Sequence, residues 1–289
     1  MAGGGLNERH LAGLLVLGGI ASVQWGAAAA TTLFDEVGPG GTVFLRVAIS
    51  AVLLVVLWRP VWGVLRGAAA RDIVAFGLVL AAMNWSFYQA LERIPLGIAV
   101  TIEFVGPLGV AFLHSRRRLD LLWAGCAAAG LLLLAPFGGG SIDALGALFA
   151  FIAGACWGAY ILLSARVGRA VSGGSGLAIA MTVAAVVLIP AGIADGGSDL
   201  LVGHTILIGA AVAVLSSAIP YSLELEALRR IPENTFGVLM SLEPAVAALV
   251  GFIALNQDLH ASEIAAIALV LIASAGALGS AGEPRAPEA

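Results

Sequence analysis

The chain has 289 residues, of which 60% are hydrophobic and only 11% are charged, and its formal charge is −4. Soluble domains are about 45–50% apolar and about 25% charged, so a water-soluble core cannot hold this much apolar surface. The excess must face lipid, and the composition predicts an all-α integral membrane protein.

The basic residues exclude several classes of function. All 14 are arginine, and the chain has no lysine. A Walker-type phosphate-binding lysine and a lysine Schiff base to pyridoxal phosphate or retinal are therefore excluded. The arginines are scattered singly or in short runs, unlike the basic footprint of a nucleic-acid-binding protein. The two cysteines and four histidines form no group with metal-ligand spacing, so neither a metal nor another cofactor is expected.

Apolar segments long enough to cross a hydrocarbon core of about 30 Å as helices recur along the chain. Ten are predicted, at 11–34, 42–58, 73–91, 95–114, 119–136, 144–165, 176–194, 204–227, 232–255 and 262–280. Turn-rich sequences separate several of them: VGPGG at 37–41, FGGGS at 137–141 and DGGSD at 195–199. Within the sixth, Gly154 and Gly158 lie one turn apart, which favours close helix packing in lipid.

The arginine distribution predicts the orientation in the membrane. With the N-terminus inside, twelve of the 14 arginines fall in cytoplasmic segments, one (Arg93) in an outer loop and one (Arg46) within a span. The outer loops instead carry acidic residues: Asp35, Glu36, Asp143, Asp195, Asp199 and Asp258. This asymmetry predicts ten spans with both termini cytoplasmic, and residues 281–289 are predicted to be a disordered cytoplasmic tail.

Two stretches of the chain repeat each other. ALERIP at 90–95 recurs as ALRRIP at 227–232, and in both copies another proline follows twelve residues later, at Pro107 and Pro244. The chain is therefore interpreted as two five-span repeats, at 11–136 and 144–280, which cross the membrane in opposite senses because five is odd. Inverted repeats of this kind recur in secondary transporters, with the substrate site near the membrane midplane between the halves.

These halves resemble the two EamA repeats of the drug/metabolite transporter superfamily. NWSFYQALERIPLGIAVTIEFVGPLGVA (84–111) and PYSLELEALRRIPENTFGVLMSLEPAVAAL (220–249) are similar to the threonine/homoserine exporter branch, and FLRVAIS (44–50) and CWGAYILLSARVG (156–168) support this. The resemblance implies a ten-helix exporter in a bacterial inner membrane that moves small amino acids outward, driven by the proton gradient.

The sequence departs from that family pattern at two places. Members of the threonine/homoserine branch often carry a lysine in the first span, where Thr31 and Thr32 stand here. Gln257 occupies a loop position where many EamA repeats place a glutamate. The first departure leaves open a different substrate or a different coupling.

Four ionisable side chains fall well inside predicted spans: Arg46, Glu103, Glu224 and Glu243. A charge at a helix centre costs about 2.5–3.5 kcal/mol on insertion scales, so such residues have a specific role.

Glu103 and Glu243 are interpreted as ligands of a substrate ammonium or as proton carriers. The alternative is a structural hydrogen bond or ion pair. Glu103 aligns with Met240 in the repeat and not with Glu243, so unequal roles are expected. For Arg46 two partners are left open: a substrate carboxylate or one of the glutamates.

Neutral polar residues on several spans are predicted to line a cavity between the halves. Asn84 and Tyr88 lie one turn apart on the third span, and Tyr221 shares a face of the eighth span with Glu224. For the tyrosines the alternative is an interfacial position or helix packing. The same cavity is predicted to include Tyr160, Gln24, Trp25 and Trp157.

Three prolines, Pro107, Pro220 and Pro244, fall inside predicted spans and are interpreted as hinges. Each removes a backbone hydrogen bond, and the freed carbonyl is tolerated where it faces protein or a wet cavity.

The sequence thus predicts a proton-coupled, alternating-access exporter of small amino acids or similar amphiphilic metabolites. Its expected partners are a small-molecule substrate, protons and the lipid bilayer, with no nucleic acid, and a homodimer is left open. An exporter of a different metabolite or drug is the alternative. An intramembrane enzyme would need a nucleophile–base or metal constellation within the spans, which the sequence lacks. A receptor or scaffold would not explain an inverted repeat with central carboxylates.

Overall fold

Every described element of the computed structural model is a helix. The structure describes residues 3–113, 122–123, 125–127, 129–130, 133, 143–171, 173–228, 230 and 239–281. The α-helices are α1 (Gly3–Thr31), α2 (Phe34–Trp58), α3 (Ala70–Leu91), α4 (Leu96–Glu103), α5 (Val105–Leu113), α6 (Ala144–Ala170), α7 (Ser175–Gly196), α8 (Gly203–Ala213), α9 (Ile219–Leu228), α10 (Glu243–Leu255) and α11 (Ala261–Ala281). Short 3₁₀ helices lie at Trp62–Arg66 and Gly197–Leu201, and a π-helical turn, the π segment, lies at Val214–Ala218.

Five described helices are long and apolar enough to cross a membrane: His10–Thr31, Phe34–Trp58, Ala70–Leu91, Ala144–Ala170 and Ser175–Leu201. Shorter apolar helices lie within four further predicted spans, at Leu96–Val110, Gly203–Ala218, Glu243–Leu255 and Ala261–Ala273. The span predicted at 119–136 and the predicted tail at 281–289 fall mostly outside the described residues. Large apolar side chains on the outside of the helices, including Val56, Leu57 and Leu207, are exposed, as lipid-facing residues must be.

The turn predicted at 37–41 is shorter in the structure, because helix α2 begins before it. Only Gly38 departs from helical geometry, with φ 64° and ψ 172°, a conformation that glycine adopts without a steric penalty. Pro39 follows as the first residue of the long part of α2, where its missing N–H costs nothing. The Gly40 N–H donates to Asp195 Oδ2 (2.8 Å), so the end of α7 caps this new helix start.

Four helices make the centre of the bundle, since α2 packs along α7 while α3 packs along both α6 and α7. Their contacts bury apolar side chains such as Phe76, Leu80 and Ile179 in one continuous core. On one side of this centre, α1 packs against α9 and α10. Helix α4 packs against α10 and α6, which places its polar C-terminal end among several helices.

Glycines allow two pairs of helix backbones to approach each other closely. A Cβ atom on Gly106 of α5 would overlap the carbonyl oxygen of Gly154 on α6, and Gly158 lies beside the same contact. The close packing predicted at Gly154 and Gly158 is therefore confirmed. Helices α4 and α10 meet in the same way, because a Cβ atom on Gly97 would lie 2.7 Å from the Cα atom of Ala248.

We predict that Gly106→Ala lowers the thermal unfolding temperature in detergent, because the added methyl group must push the α5 and α6 backbones apart. Overpacking of this kind costs about 1–3 kcal/mol. Gly109→Ala is the matched control on the same helix, since no described atom lies within 4 Å of a Cβ atom there. Equal unfolding temperatures for the two variants would contradict this packing.

Candidate functional site

The site begins where the fourth predicted span is interrupted. Glu103 is the last residue of α4, Phe104 forms a turn, and α5 starts at Val105. Pro107 has no N–H to donate to the Glu103 carbonyl four residues earlier. That carbonyl lies against α6, where a Cβ atom on Gly154 would come within 2.5 Å of it. The helix is therefore interrupted beside a predicted hinge proline, at a buried carboxylate.

The second half of the chain has an interruption at the equivalent position. Ser241 and Leu242 form a turn and α10 begins at Glu243, with Pro244 in its first turn. By the offset of the repeat, Ser241 aligns with Phe104. The two acids nevertheless lie on opposite sides of their interruptions, since Glu103 ends one helix and Glu243 starts another. A helix N-terminus carries partial positive charge and a C-terminus partial negative charge, so the two carboxylates meet opposite helix dipoles.

Glu243 is joined to α1 by a buried hydrogen bond. Gln24 Nε2 donates to Glu243 Oε1 (3.1 Å), and the Gln24 side chain is only 1% exposed. The other amide atom, Gln24 Oε1, has no hydrogen-bond donor among the described residues. Two of the predicted site residues thus meet directly, between α1 and α10.

The π segment presents two backbone carbonyls to neighbouring helices. The Ile219 N–H bonds to the Val214 carbonyl, five residues back, so the Leu215 carbonyl loses its usual partner. Pro220 has no N–H for the Ser216 carbonyl. Ser22 Oγ on α1 donates to the Leu215 oxygen (2.7 Å), and Arg46 Nη2 on α2 donates to the Ser216 oxygen (3.4 Å). Side chains from other helices thus bond to both freed carbonyls of the π segment. Turns of this π-helical kind are frequent at functional sites.

Arg46 connects the π segment to α3 and α4. Its Nη1 donates to Tyr88 Oη (3.5 Å), and its guanidinium lies 5.6 Å from the centre of the Tyr88 ring. Tyr88 is fully buried, and the buried Glu103 carboxylate lies within electrostatic range of Arg46. Within the described part of the chain Arg46 makes no direct ion pair, because its two hydrogen-bond partners are neutral. We name Arg46, Tyr88, Glu103 and Ser216 the arginine centre.

The other predicted cavity residues occupy several different surroundings. Asn84 is buried, but its Nδ2 donates to the Leu80 carbonyl (2.8 Å) of its own helix. The Tyr160 ring packs against Phe76, with ring centres 5.3 Å apart. Trp157 meets Phe104 edge to face at 5.6 Å, beside the interruption of α4 and α5.

Three further predictions have different outcomes. Tyr221 and Glu224 lie on α9, but their side chains fall outside the described residues. Trp25 is 45% exposed on α1, whereas its neighbour Gln24 is buried, so the two side chains have different surroundings. Neighbouring residues on a helix point about 100° apart, which separates Trp25 from the buried face.

Sequence reasoning missed Ser22 and Ser216, because serine is common in membrane helices and neither is ionisable. One signal was present, since Ser216 stands four residues before Pro220. A proline inside a helix frees the carbonyl four residues earlier, so the position of that carbonyl can be read from the sequence. The side chain that bonds to it can be identified only from the packed helices.

Comparison with known proteins identifies the family. A sequence model of the EamA-like transporter family matches residues 144–279. The threonine/homoserine exporters RhtA of Escherichia coli (strain K12) and Salmonella typhimurium (strain LT2) are each 41% identical to this chain over 266 residues, which cover 91% of this chain and 90% of theirs. The chain belongs to the EamA-like transporter family. The resemblance predicted from the sequence is confirmed, including its closeness to the threonine/homoserine branch.

Membership makes the chain a transporter and not an enzyme, and with its apolar helices it is a multi-pass protein of a bacterial inner membrane. The fold is shared with a solved crystal structure that has 19% sequence identity and a TM-score of 0.61, over 91% of this chain and 96% of that one. At this identity the likeness shows the fold alone.

The residues at the two departures from the family pattern make local hydrogen bonds. Thr31 and Thr32 donate their hydroxyls to the carbonyls of Ala28 and Ala29 at the end of α1. Gln257 Oε1 accepts from the Leu96 N–H (3.0 Å) and so caps the start of α4. A neutral amide oxygen performs this capping without placing a charge there.

We predict that Ser22→Ala lowers the thermal unfolding temperature of the detergent-solubilised transporter, because the Leu215 carbonyl of the π segment loses its donor. A buried polar group left without a partner costs about 1–3 kcal/mol. Ser164→Ala is the matched control, since that half-buried serine bonds only to the Ile161 carbonyl of its own helix. The assignment fails if both substitutions have the same effect.

Proposed function

We propose that this transporter exports threonine, homoserine and similar small amino acids across the inner membrane in exchange for protons, by alternating access. The names of its relatives support the substrate class, since both RhtA proteins are threonine/homoserine exporters. One observation carries the proposal: among the described residues the Arg46 guanidinium has only neutral hydrogen-bond partners, the Tyr88 hydroxyl and the Ser216 carbonyl, while Glu103 in the same arginine centre is a buried carboxylate.

An amino acid carries the two charges that would complete this arrangement. Its carboxylate matches the planar fork of an arginine, which binds carboxylates through two parallel hydrogen bonds. Its ammonium, attached to the same carbon, matches the Glu103 carboxylate. A zwitterion between the two side chains would neutralise both inside the membrane, where an uncompensated charge is costly. Of the two roles left open for Arg46, this favours the substrate carboxylate.

Glu103 is the residue through which we propose that protons drive export. Its carboxylate is buried at the C-terminal end of α4, where the helix dipole disfavours negative charge. A proton that enters from outside would neutralise Glu103 and remove the attraction for the substrate ammonium. Proton binding and substrate binding then exclude each other, which is the condition for exchange.

Glu243 has a different proposed role. It lies at a helix N-terminus and accepts a hydrogen bond from Gln24, and both features favour the carboxylate form. We propose that Glu243 is a second acidic site, which connects α1 to α10 and transmits movement between the halves. Pro107, Pro220 and Pro244 lie in or beside the interruptions, so these helices can bend there as the halves exchange conformations.

The packing supports two inverted repeats at 11–136 and 144–280. The two repeats pair α1 with α6, α2 with α7, and α3 with α8 and α9. When each helix is exchanged for its counterpart, the contact of α1 with α9 becomes the contact of α6 with α3. Likewise α2 with α8 becomes α7 with α3, and α5 with α6 becomes α10 with α1, and every one of these contacts occurs. The match of one family unit to residues 144–279 agrees with the second repeat.

Contacts between loops support cytoplasmic termini. Segments predicted to lie outside bond to one another: Glu36 pairs with His204 Nε2 (2.6 Å), and Gln257 caps Leu96. Segments predicted to lie inside also meet, since the Trp58 side chain packs on Gly174. This is the grouping expected if spans alternate in direction as the arginine distribution predicts.

We predict that Arg46→Gln weakens threonine transport into proteoliposomes by roughly 10- to 100-fold in apparent affinity, because charged hydrogen bonds are worth about 1.5–3 kcal/mol. The variant should also stop discriminating between threonine and its carboxamide, whose carboxylate is replaced. Arg169→Gln, on the exposed last turn of α6, serves as the control and should transport normally. Retained discrimination in Arg46→Gln would assign the carboxylate to another residue.

We predict that Glu103→Gln abolishes threonine transport driven by a pH gradient while the protein still folds, since glutamine takes up no proton in this range and carries no charge to attract an ammonium. Flux of labelled threonine is measured with and without the gradient, and Glu92→Gln, an exposed acid, is the control. Near-normal flux in Glu103→Gln would make Glu103 structural. Wild-type flux that ignores the gradient would exclude proton coupling, and absence of flux for every amino acid would favour another metabolite or a drug.

A further inference from the structure

One buried hydroxyl in the arginine centre has no hydrogen-bond partner in the described structure. Ser216 is 3% exposed, and its Oγ meets neither a donor nor an acceptor among the described atoms. Its neighbour Ser217 differs, because Ser50 Oγ donates to Ser217 Oγ (3.0 Å). Leaving a buried hydroxyl unpaired costs stability, so Ser216 is arranged for a partner that the described residues do not supply.

Hydroxyls in the neighbouring helices usually bond to a carbonyl one turn earlier. Thr101 donates to the Gly97 carbonyl (2.6 Å) and Thr182 to the Ala178 carbonyl (2.8 Å). This back-bonding is the common local solution for serine and threonine in helices. Ser216, in the π segment, does not adopt it, so its hydroxyl is left available to another group.

The surroundings of the Ser216 hydroxyl place it beside the proposed substrate position. The carbonyl of the same residue holds the Arg46 guanidinium at 3.4 Å. From α1, the residue opposite is Gly26, where any Cβ atom would overlap Ser216 Oγ. A glycine at this contact keeps the hydroxyl free of a covering side chain.

We propose that Ser216 Oγ binds the side-chain hydroxyl of the substrate and so selects hydroxylated amino acids over apolar ones of the same shape. This rests on the proposed function, because a substrate carboxylate on Arg46 brings the rest of the molecule next to residue 216. In threonine the hydroxyl lies on the carbon adjacent to the one that carries the carboxylate and ammonium, so the three groups are recognised together. A site built to hydrogen-bond a hydroxyl rejects an analogue that lacks it, since its own polar group then stays unpaired.

Competition between threonine and valine tests this inference. Valine has a methyl group where threonine has its hydroxyl, so the two differ little in shape. Uptake of labelled threonine into proteoliposomes is measured against increasing unlabelled threonine or valine, which gives the preference as a ratio of inhibition constants. We expect the wild type to prefer threonine and Ser216→Ala to reduce that preference by roughly 5- to 100-fold, the range for one buried hydrogen bond.

Ser217→Ala is the matched control. It removes an adjacent hydroxyl that is already bonded to Ser50, so it should leave the threonine-to-valine preference unchanged. If Ser216→Ala does not fold, as judged by gel filtration and thermal unfolding, Ser216→Cys keeps nearly the same volume with a poor hydrogen-bonding group and should lose the preference equally. A merely structural role for Ser216 would lower transport of both amino acids and leave their ratio intact.

The outcomes separate this inference from the proposed function. Wild-type threonine transport together with an unchanged preference in Ser216→Ala overturns the role of Ser216 and leaves the exporter assignment standing. An equal loss of preference in Ser217→Ala also overturns it, because selectivity would then depend on the π segment as a whole. Absence of any amino-acid transport by the wild type overturns both.

Discussion

The arrangement of the polar groups depends on backbone carbonyls that prolines and a π-turn release inside the membrane. A helix in lipid must satisfy every backbone group, so an interruption persists only where another group supplies the missing bond. At the π segment those groups are Ser22 from α1 and Arg46 from α2. The bond to the Ser216 carbonyl holds the Arg46 guanidinium between α2, α3 and α9 while leaving it without a direct counter-charge among the described residues. The same defect in the helix thus positions the cation and presents a neighbouring hydroxyl.

The two interruptions, which align in the repeated sequence, place their carboxylates in different electrostatic surroundings. Glu103 and Glu243 flank aligned turns, but one ends a helix and the other begins one. Opposite helix ends impose opposite preferences on a carboxylate, so two aligned turns produce two unlike acids. An exporter that exchanges substrate for protons needs such a difference. A carboxylate that binds substrate and proton in turn must be less stabilised in its charged form than a carboxylate that serves only as a fixed anchor.

Much of this could be predicted from the sequence. The composition indicates the membrane environment, and the family was recognisable from residues 84–111 and 220–249. Arg46, Tyr88, Glu103, Gln24 and Glu243 were all identifiable, because polar groups inside apolar spans are costly and therefore conspicuous. Trp25 was grouped with Gln24, but it is exposed while Gln24 is buried, because neighbouring residues on a helix point in different directions.

The sequence by itself determined which residues are expensive to bury and where the backbone lacks an N–H, because hydrophobicity and proline chemistry belong to single residues. Only the tertiary structure decided which groups meet. Gln24 is paired with Glu243, 219 residues away, and among the described residues Arg46 is held by a carbonyl and a tyrosine and not by a carboxylate. These pairings follow from how the helices pack. Close glycine contacts, such as Gly106 with Gly154, fix that packing, and the type of a side chain alone does not specify it.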